Sequence, residues 1–332
     1  MTDALFLTSE DCADLATPAE YVDAVREGYR QRGEGAAAEP RTSLYNDDPP
    51  GFLTNYLAIL PDTGAMGGYT YAAGFEGGDA HFALPIFDAA SGDPLTLIDG
   101  ASMNPFKTGA VGAVAVDALA REDATDLALI GSGAQARGQL RATAVVRDLE
   151  TVRVFSPTRE HREDFASEMD GELGASVSAV ETATEAVTDA DVVITATNAT
   201  EPVFDGEDLA PGTHVTAMGQ YHPQRREVDA TTVARSTYVP DLEGRLEQDA
   251  GAYLLALEDG AIETGHVHAE LGEVVAGVEP GRTSDDEITL FDSGGTAIET
   301  VASGYLLYER AREAGLGETI DLAPASEALT GR

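Results

Sequence analysis

Residues 131–136, Gly131-Ser132-Gly133-Ala134-Gln135-Ala136, have the types and spacing that let a backbone close around a pyrophosphate. Gly131 permits a tight turn, Gly133 lets the main chain approach the phosphates, and Ala136 is small enough for close helix packing. The first turn of a helix that starts here offers N–H groups and a partial positive charge to an anion. The context supports the reading: an apolar run at 126–130 predicts a strand leading in, 135–149 predicts a helix leading out, and 151–155 predicts the next strand. Where an NAD site usually places an acidic residue on the ribose, this chain has Ser156, with Arg159 following. Ser156 does not repel a 2′-phosphate, and Arg159 either pairs with one or simply starts the next helix at the surface. The cofactor expected is NAD or NADP, with NADP favoured, held by Gly131, Ser132, Gly133, Ala134, Gln135, Ser156 and Arg159.

The elements that must position this loop follow from the alternation of short apolar runs with helical stretches. A helix is predicted at about 159–169, a strand at 175–180, a short helix at 182–188, and strands at 191–196, 214–218 and 237–239. That is an α/β, doubly wound (Rossmann) dinucleotide-binding domain, with bounds expected at 116–304. The first hundred-odd residues differ. A helix at 18–32 precedes runs at 56–60, 68–74, 81–87 and 94–98 that read as strands joined by Gly- and Asp-containing turns. They form a smaller, mixed α+β domain, expected over 1–115 plus 305–332. The stretch 108–121, rich in Ala, Gly and Val, reads as a tightly packed helix crossing between domains. A last helix at about 296–314 returns the chain to the first domain.

The chain has 59 acidic and 20 basic residues, a net charge of -39. Such a surface repels nucleic acid and anionic membranes, so neither is an expected partner. The acids are scattered, which reads as a solvated coat whose self-repulsion salt would screen; a salt-rich, halophilic cytoplasm is the expected setting. Lys107 is the only lysine, so its place in the chain draws attention. The single cysteine, Cys12, allows no internal disulfide and reads as a small buried apolar residue. With no basic–apolar leader and no apolar stretch long enough for a span, a cytoplasmic location is expected.

The stretch Phe106-Lys107-Thr108-Gly109-Ala110, the loop GSGAQA, the run DVVITATNATEPVFDG, the later FDSGGTAIET and the ending GETIDL together resemble the ornithine cyclodeaminase/mu-crystallin family. The resemblance covers nearly the whole chain in order. It implies a homodimer joined through the smaller domain, and chemistry on a small α-amino acid or cyclic imino acid. The family includes ornithine cyclodeaminases, alanine dehydrogenases and imino acid reductases. All move a hydride at the carbon that bears nitrogen beside a carboxylate. Carried over by position, Arg41 matches an arginine that binds the substrate carboxylate, as a planar guanidinium suits. Lys107 stands where an arginine near substrate and cofactor is usual. Thr108, Gln135, Thr197, Asn198, Met218, Gly219 and Ser293 match cofactor-side positions, and Gly294 falls on the substrate side.

Two positions depart from the family pattern. A strand lysine that binds substrate falls near Tyr69 or Thr70, of which Thr70 is taken as the substrate-side candidate. The aspartate expected after Met218-Gly219-Gln220 is replaced by Tyr221. A carboxylate there can hold an ammonium or act as a base; a phenol is a poor base but can donate a proton, or it can pack on the cofactor. His222, next to it, is a second candidate for acid–base work. Tyr221, Lys107 and His222 are thus the expected catalytic groups, in an NAD(P)-dependent amino or imino acid oxidoreductase or ornithine cyclodeaminase-type deaminase. The alternative is a non-catalytic NAD(P)-dependent small-molecule binding protein of the mu-crystallin kind. His266 and His268 alternate on a short run but have no evident third partner, so no metal site is expected.

Overall fold

The chain opens with strand β1 (Thr2–Leu7), a short helix α1 (Ser9–Cys12) and the longer α2 (Pro18–Gly33), each helix started by a capping box. At α2 the Thr17 hydroxyl accepts from the Glu20 N–H at 3.3 Å while the Glu20 carboxylate accepts from the Thr17 N–H at 2.8 Å, which satisfies two donors that a helix start leaves over. Strands β2 (Thr42–Asp47), β3 (Pro50–Leu60), β4 (Ala65–Ala73), β5 (His81–Asp88) and β6 (Pro94–Asp99) follow, then helix α3 (Asn104–Leu119). Next come β7 (Asp126–Ile130), α4 (Ala134–Val146), β8 (Thr151–Phe155), α5 (Arg159–Glu172), β9 (Ser176–Ala179) and α6 (Ala183–Val187). The chain continues through β10 (Val192–Thr195), β11 (His214–Ala217), α7 (Ala230–Arg235), β12 (Ser236–Pro240), α8 (Gly251–Glu258), α9 (Leu271–Val275) and β13 (Ile288–Asp292). Helix α10 (Ala297–Ala314), β14 (Glu318–Leu322) and α11 (Ala325–Thr330) complete it. This computed structural model describes residues 2–76 and 78–330.

Two compact units result. One is the chain up to Lys107 together with the chain from Thr296; the other is Thr108–Gly295. The expected bounds at 115/116 and 304/305 therefore move to 107/108 and 295/296. The first junction falls within α3, a helix that begins before 108, and the whole of α10 belongs to the first unit.

In the first unit the sheet runs β14-β1-β6-β5-β4-β3-β2, antiparallel except for the β1–β6 pair. Helices α2 and α10 cross closely: a Cβ on Gly28 would lie 3.2 Å from Ile298 Cγ2 and 3.3 Å from Ala302 Cβ. Alternation along β3 buries Thr54, Tyr56, Ala58 and Leu60 and turns Leu53, Leu57 and Ile59 out, at 48, 54 and 44% exposure. Strands β1, β2 and β14 were not among the expected ones. They lie at or near the sheet's edges, and β2 and β14 carry little of the buried alternation by which strands are recognised.

The second unit is an all-parallel sheet in the order β12-β13-β11-β10-β7-β8-β9. The order reverses between β7 and β10, and this switch point is where doubly wound sheets bind ligands. The unanticipated strand is β13, five buried residues that enter between β11 and β12 and so carry Ser293 and Gly294 to the carboxyl edge of the sheet.

His214, the first residue of β11, is fully buried, with Nδ1 2.9 Å from Thr289 Oγ1 and Nε2 2.9 Å from Thr216 Oγ1. Thr289 spends its own proton on the Leu119 carbonyl at 3.1 Å, so Nδ1 donates to Thr289 and Nε2 accepts from Thr216. Burial, aided by the Arg282 and Arg147 guanidiniums, lowers its pKa to about 3. The unfolded chain therefore takes up a proton on this ring below about pH 6.5 while the folded chain does not, so the stability it contributes is complete above that pH and is lost as pH falls. Between pH 6.5 and 4.5, urea unfolding of the wild type should lose about 1.4 kcal/mol per pH unit more than that of His214→Asn. Equal slopes would show that the ring is not held neutral.

Candidate active site

The glycine loop is built as its sequence suggests. Gly131 has φ 125° and donates its N–H to the Phe155 carbonyl at 2.8 Å; a Cβ there would sit 2.4 Å from Ala196 O, so no other residue fits. Gly133 caps α4 in an extended conformation with no side-chain cap, and a Cβ on it would meet nothing within 4 Å. The α4 start thus faces open space with uncapped N–H groups, and beside it Gln135 Oε1 is buried without a hydrogen-bond partner. An uncapped helix start and an orphaned acceptor fit a dinucleotide, whose phosphates take the N–H groups and whose hydroxyls or amide can serve Gln135.

Ser132 Oγ donates to Ser156 Oγ at 2.9 Å, tying the loop to the end of β8. Arg159 stands apart: it is 72% exposed and paired with Glu163 at 2.7 Å. Arg162, missed in the sequence, is the arginine built into this edge. It is buried, donates to Ser156 O at 3.0 Å and to Glu181 at 2.7 Å, and lies over the Phe155 ring at 5.8 Å. Its spacing to Phe165, Ala166 and Met169 is the helical repeat that marks the buried face of α5.

At the ends of β10 and β11 a second residue missed in the sequence holds the predicted ones together. Glu227 is buried, and its carboxylate accepts from Thr195 Oγ1 (2.9 Å), Thr197 N and Oγ1 (both 2.7 Å) and Gly219 N (2.6 Å). Burial pushes this carboxyl above the usual carboxylate range, and the hydrogen bonds it receives work against that. A Cβ on Gly219 would lie 2.2 Å from Thr197 O, so the two strand ends meet only because position 219 is glycine. Met218 donates its N–H to Thr195 O at 3.2 Å, and Asn198 is exposed beyond the clamp. The turn that follows carries Tyr221, 46% exposed, and His222, whose Nδ1 accepts from the Gln224 N–H at 3.1 Å, leaving Nε2 as the donor of the neutral ring.

At the end of β13, Ser293 Oγ donates to Asp241 Oδ2 at 3.1 Å, and the Gly294 N–H reaches the same oxygen at 2.8 Å. Gly294 therefore turns its N–H inward. Thr108 in this unit gives its carbonyl to Gln139 Nε2 at 2.6 Å, and α3 and α4 close on each other at Gly109, where a Cβ would be 2.2 Å from Gly138 O.

In the first unit, Arg41 lies over the Tyr56 ring (5.5 Å) and Lys107 over the Tyr69 ring (5.7 Å), and the two rings stand edge to face at 5.7 Å. The two cations so flank one aromatic wall. Lys107 is buried with its Nζ 3.6 Å from Glu299, a buried carboxylate that also accepts from Thr296 N (2.5 Å) and Tyr29 OH (3.2 Å). The capping-box pattern Thr296-x-x-Glu299 marks this residue in the sequence. Thr70 is not brought to this wall: strand alternation turns it to the other face, where its hydroxyl accepts from Asn55 Nδ2 at 2.5 Å. His266 and His268 each spend Nε2 on a backbone carbonyl, at 2.7 Å, and no group of three or more potential metal ligands occurs among the described residues.

The model of the ornithine cyclodeaminase/mu-crystallin family matches residues 3–315. A delta(1)-pyrroline-2-carboxylate reductase of Bacillus cereus is 37% identical over 71% of this chain and 73% of its own. The structure of delta(1)-pyrroline-2-carboxylate reductase from Thermococcus litoralis, in complex with NADH and L-proline, superposes with a TM-score of 0.89 at 34% identity, over 95% of this chain and 100% of that one. An archaeal alanine dehydrogenase dimer with bound NAD reaches the same TM-score of 0.89 at 30% identity, over 97% and 100%.

Replacing Glu227 by alanine strips partners from two backbone N–H groups and two hydroxyls at once. Urea unfolding should register a loss of about 4 kcal/mol or more, since each of the four donors left unpaired costs roughly 1–3 kcal/mol. A loss below about 1 kcal/mol would mean that the strand ends do not depend on this carboxylate.

Proposed function

The chain belongs to the ornithine cyclodeaminase/mu-crystallin family, and on that premise we propose that it is an NAD(P)-dependent reductase of a small imino acid. The observation that carries the reading is Tyr221. It stands on the exposed turn after β11, where the family resemblance calls for an aspartate. Cyclodeamination of a diamino acid is served by a carboxylate that holds an ammonium, which a phenol cannot replace. Reduction of an imine needs a proton on nitrogen, and a phenol can give one.

The bound dinucleotide supplies the hydride. Gly131, Gly133 and the start of α4 receive its phosphates. Arg41 and Lys107 anchor the substrate carboxylate, with Glu299 fixing the lysine and an aromatic wall behind it. Tyr221, or His222 through Nε2–H, delivers the proton. NADP is favoured over NAD because the end of β8 carries Ser156 and no carboxylate; Arg159, exposed and paired with Glu163, would have to leave that partner to meet a 2′-phosphate. A homodimer is supported by the outer face of the first unit's sheet. Leu53, Leu57 and Ile59 are exposed there in a chain of net charge -39, and the NAD-bound archaeal relative is a dimer. The acidic coat suits a salt-rich cytoplasm.

The test is purified protein in molar KCl with NADH or NADPH, offered cyclic imines and 2-oxo acids plus ammonia. A cyclic imine should consume reduced cofactor. If no substrate does, and ornithine with NAD yields no proline, the chain is a binding protein and the enzyme reading is sunk. In the same assay Tyr221→Phe should lower kcat by roughly 10²-fold, the usual worth of a placed acid. An unchanged kcat would pass the role to His222.

A further inference from the structure

One oxygen, Asp241 Oδ2, accepts three hydrogen bonds from the loop after β13: Ser293 Oγ at 3.1 Å, Gly294 N at 2.8 Å and Gly295 N at 2.9 Å. Asp241 follows β12 directly and is wholly buried, so the contact joins the end of the edge strand to the loop of its neighbour. Its effect on the loop is chemical as well as geometric. The one proton of Ser293 is spent on Asp241, so the hydroxyl presents lone pairs and acts as an acceptor. The N–H groups of Gly294 and Gly295 are drawn inward too.

Beneath the loop lies a buried guanidinium. Arg245 Nη1 is 3.2 Å from Asp241 Oδ1 and 3.3 Å from Asp292 Oδ1, and its Nε is 2.9 Å from Asp249 Oδ1. It also presses against the glycine: a Cβ on Gly294 would be 2.4 Å from Arg245 Nε. A buried group of this kind is a poor source of stability, because well-packed apolar side chains would hold the fold as well. What it does provide is one fixed arrangement of the loop.

The position of the loop in the sheet says which ligand group it meets. The glycine loop follows β7, on one side of the switch point between β7 and β10, and takes the pyrophosphate; β10, β11 and β13 lie on the other side and take the half of the dinucleotide beyond it. We propose that Asp241 is a positioning residue for the nicotinamide, holding Ser293 as a hydrogen-bond acceptor for the carboxamide N–H, with Arg245 keeping Asp241 and the glycine backbone in register. The proposal rests on the dinucleotide reading given above.

Binding of two probes separates this role from a merely structural one. The reduced cofactor that the wild type prefers reports on both halves, and ADP-ribose, or its 2′-phosphate for an NADPH enzyme, lacks the nicotinamide. In Asp241→Asn, Kd for the ADP-ribose probe should stay within about twofold while Kd for the reduced cofactor rises about tenfold, the worth of one well-placed hydrogen bond in a dry site. Ser293→Ala, which leaves the buried cluster intact, should show the same selective loss and carries the comparison if Asp241→Asn does not fold. Parallel weakening of both probes, or no change in either, overturns the proposal. A wild type that binds neither probe overturns the dinucleotide reading itself, and this role with it.

Discussion

The carboxyl edge of the second unit's sheet depends on Glu227. Parallel strands end with backbone donors that the sheet no longer pairs, and here the ends of β10 and β11 must also converge within the width of one glycine. A single carboxylate collects Thr195, Thr197 and Gly219, so both loops are fixed from beneath. Asp241 repeats the device one strand further along, for the loop after β13. Each acid is taken out of water at a cost that several donated hydrogen bonds offset, and on Glu227 the upward pull of burial reflects that cost.

What could be read from the sequence was local. The glycine loop, its flanking strand and helix, and the second unit's strands other than β13 follow from runs and periods within twenty residues of each other. The two acids that shape the edge could not be found that way. Glu227 meets partners 8, 30 and 32 residues away, and Asp241 meets Ser293 across 52 residues. Nothing near either acid distinguishes it from the many acids on the surface. Strand β13 escaped for a related reason: five residues between an acidic run and a Ser-Gly-Gly turn resemble a loop until β11 and β12 flank it. By contrast, Arg162 and the Thr296–Glu299 capping box were legible, the first by its helical phase with Phe165 and Met169, the second by its spacing.

The first unit treats charge differently from the coat around it. In a chain that carries 59 acids, its one lysine is buried against Glu299, and the outer face of β3 shows leucine and isoleucine. Lys107 and Arg41 share an aromatic wall on the inner face, and Thr70 is turned away from it by alternation alone. A one-residue difference in strand phase therefore decides which side chains face that wall.

In the proposed reaction hydride passes to the imine carbon beside a carboxylate. The most direct test is a single turnover with reduced cofactor deuterated at the transferring carbon of the nicotinamide and a cyclic imine carboxylate as acceptor. One cofactor should be oxidised for each amino acid formed, with deuterium on the carbon that bears the nitrogen and the carboxylate. Oxidised cofactor with deuterium absent from that carbon, or imine left unreduced by a protein shown to bind the cofactor, would contradict it.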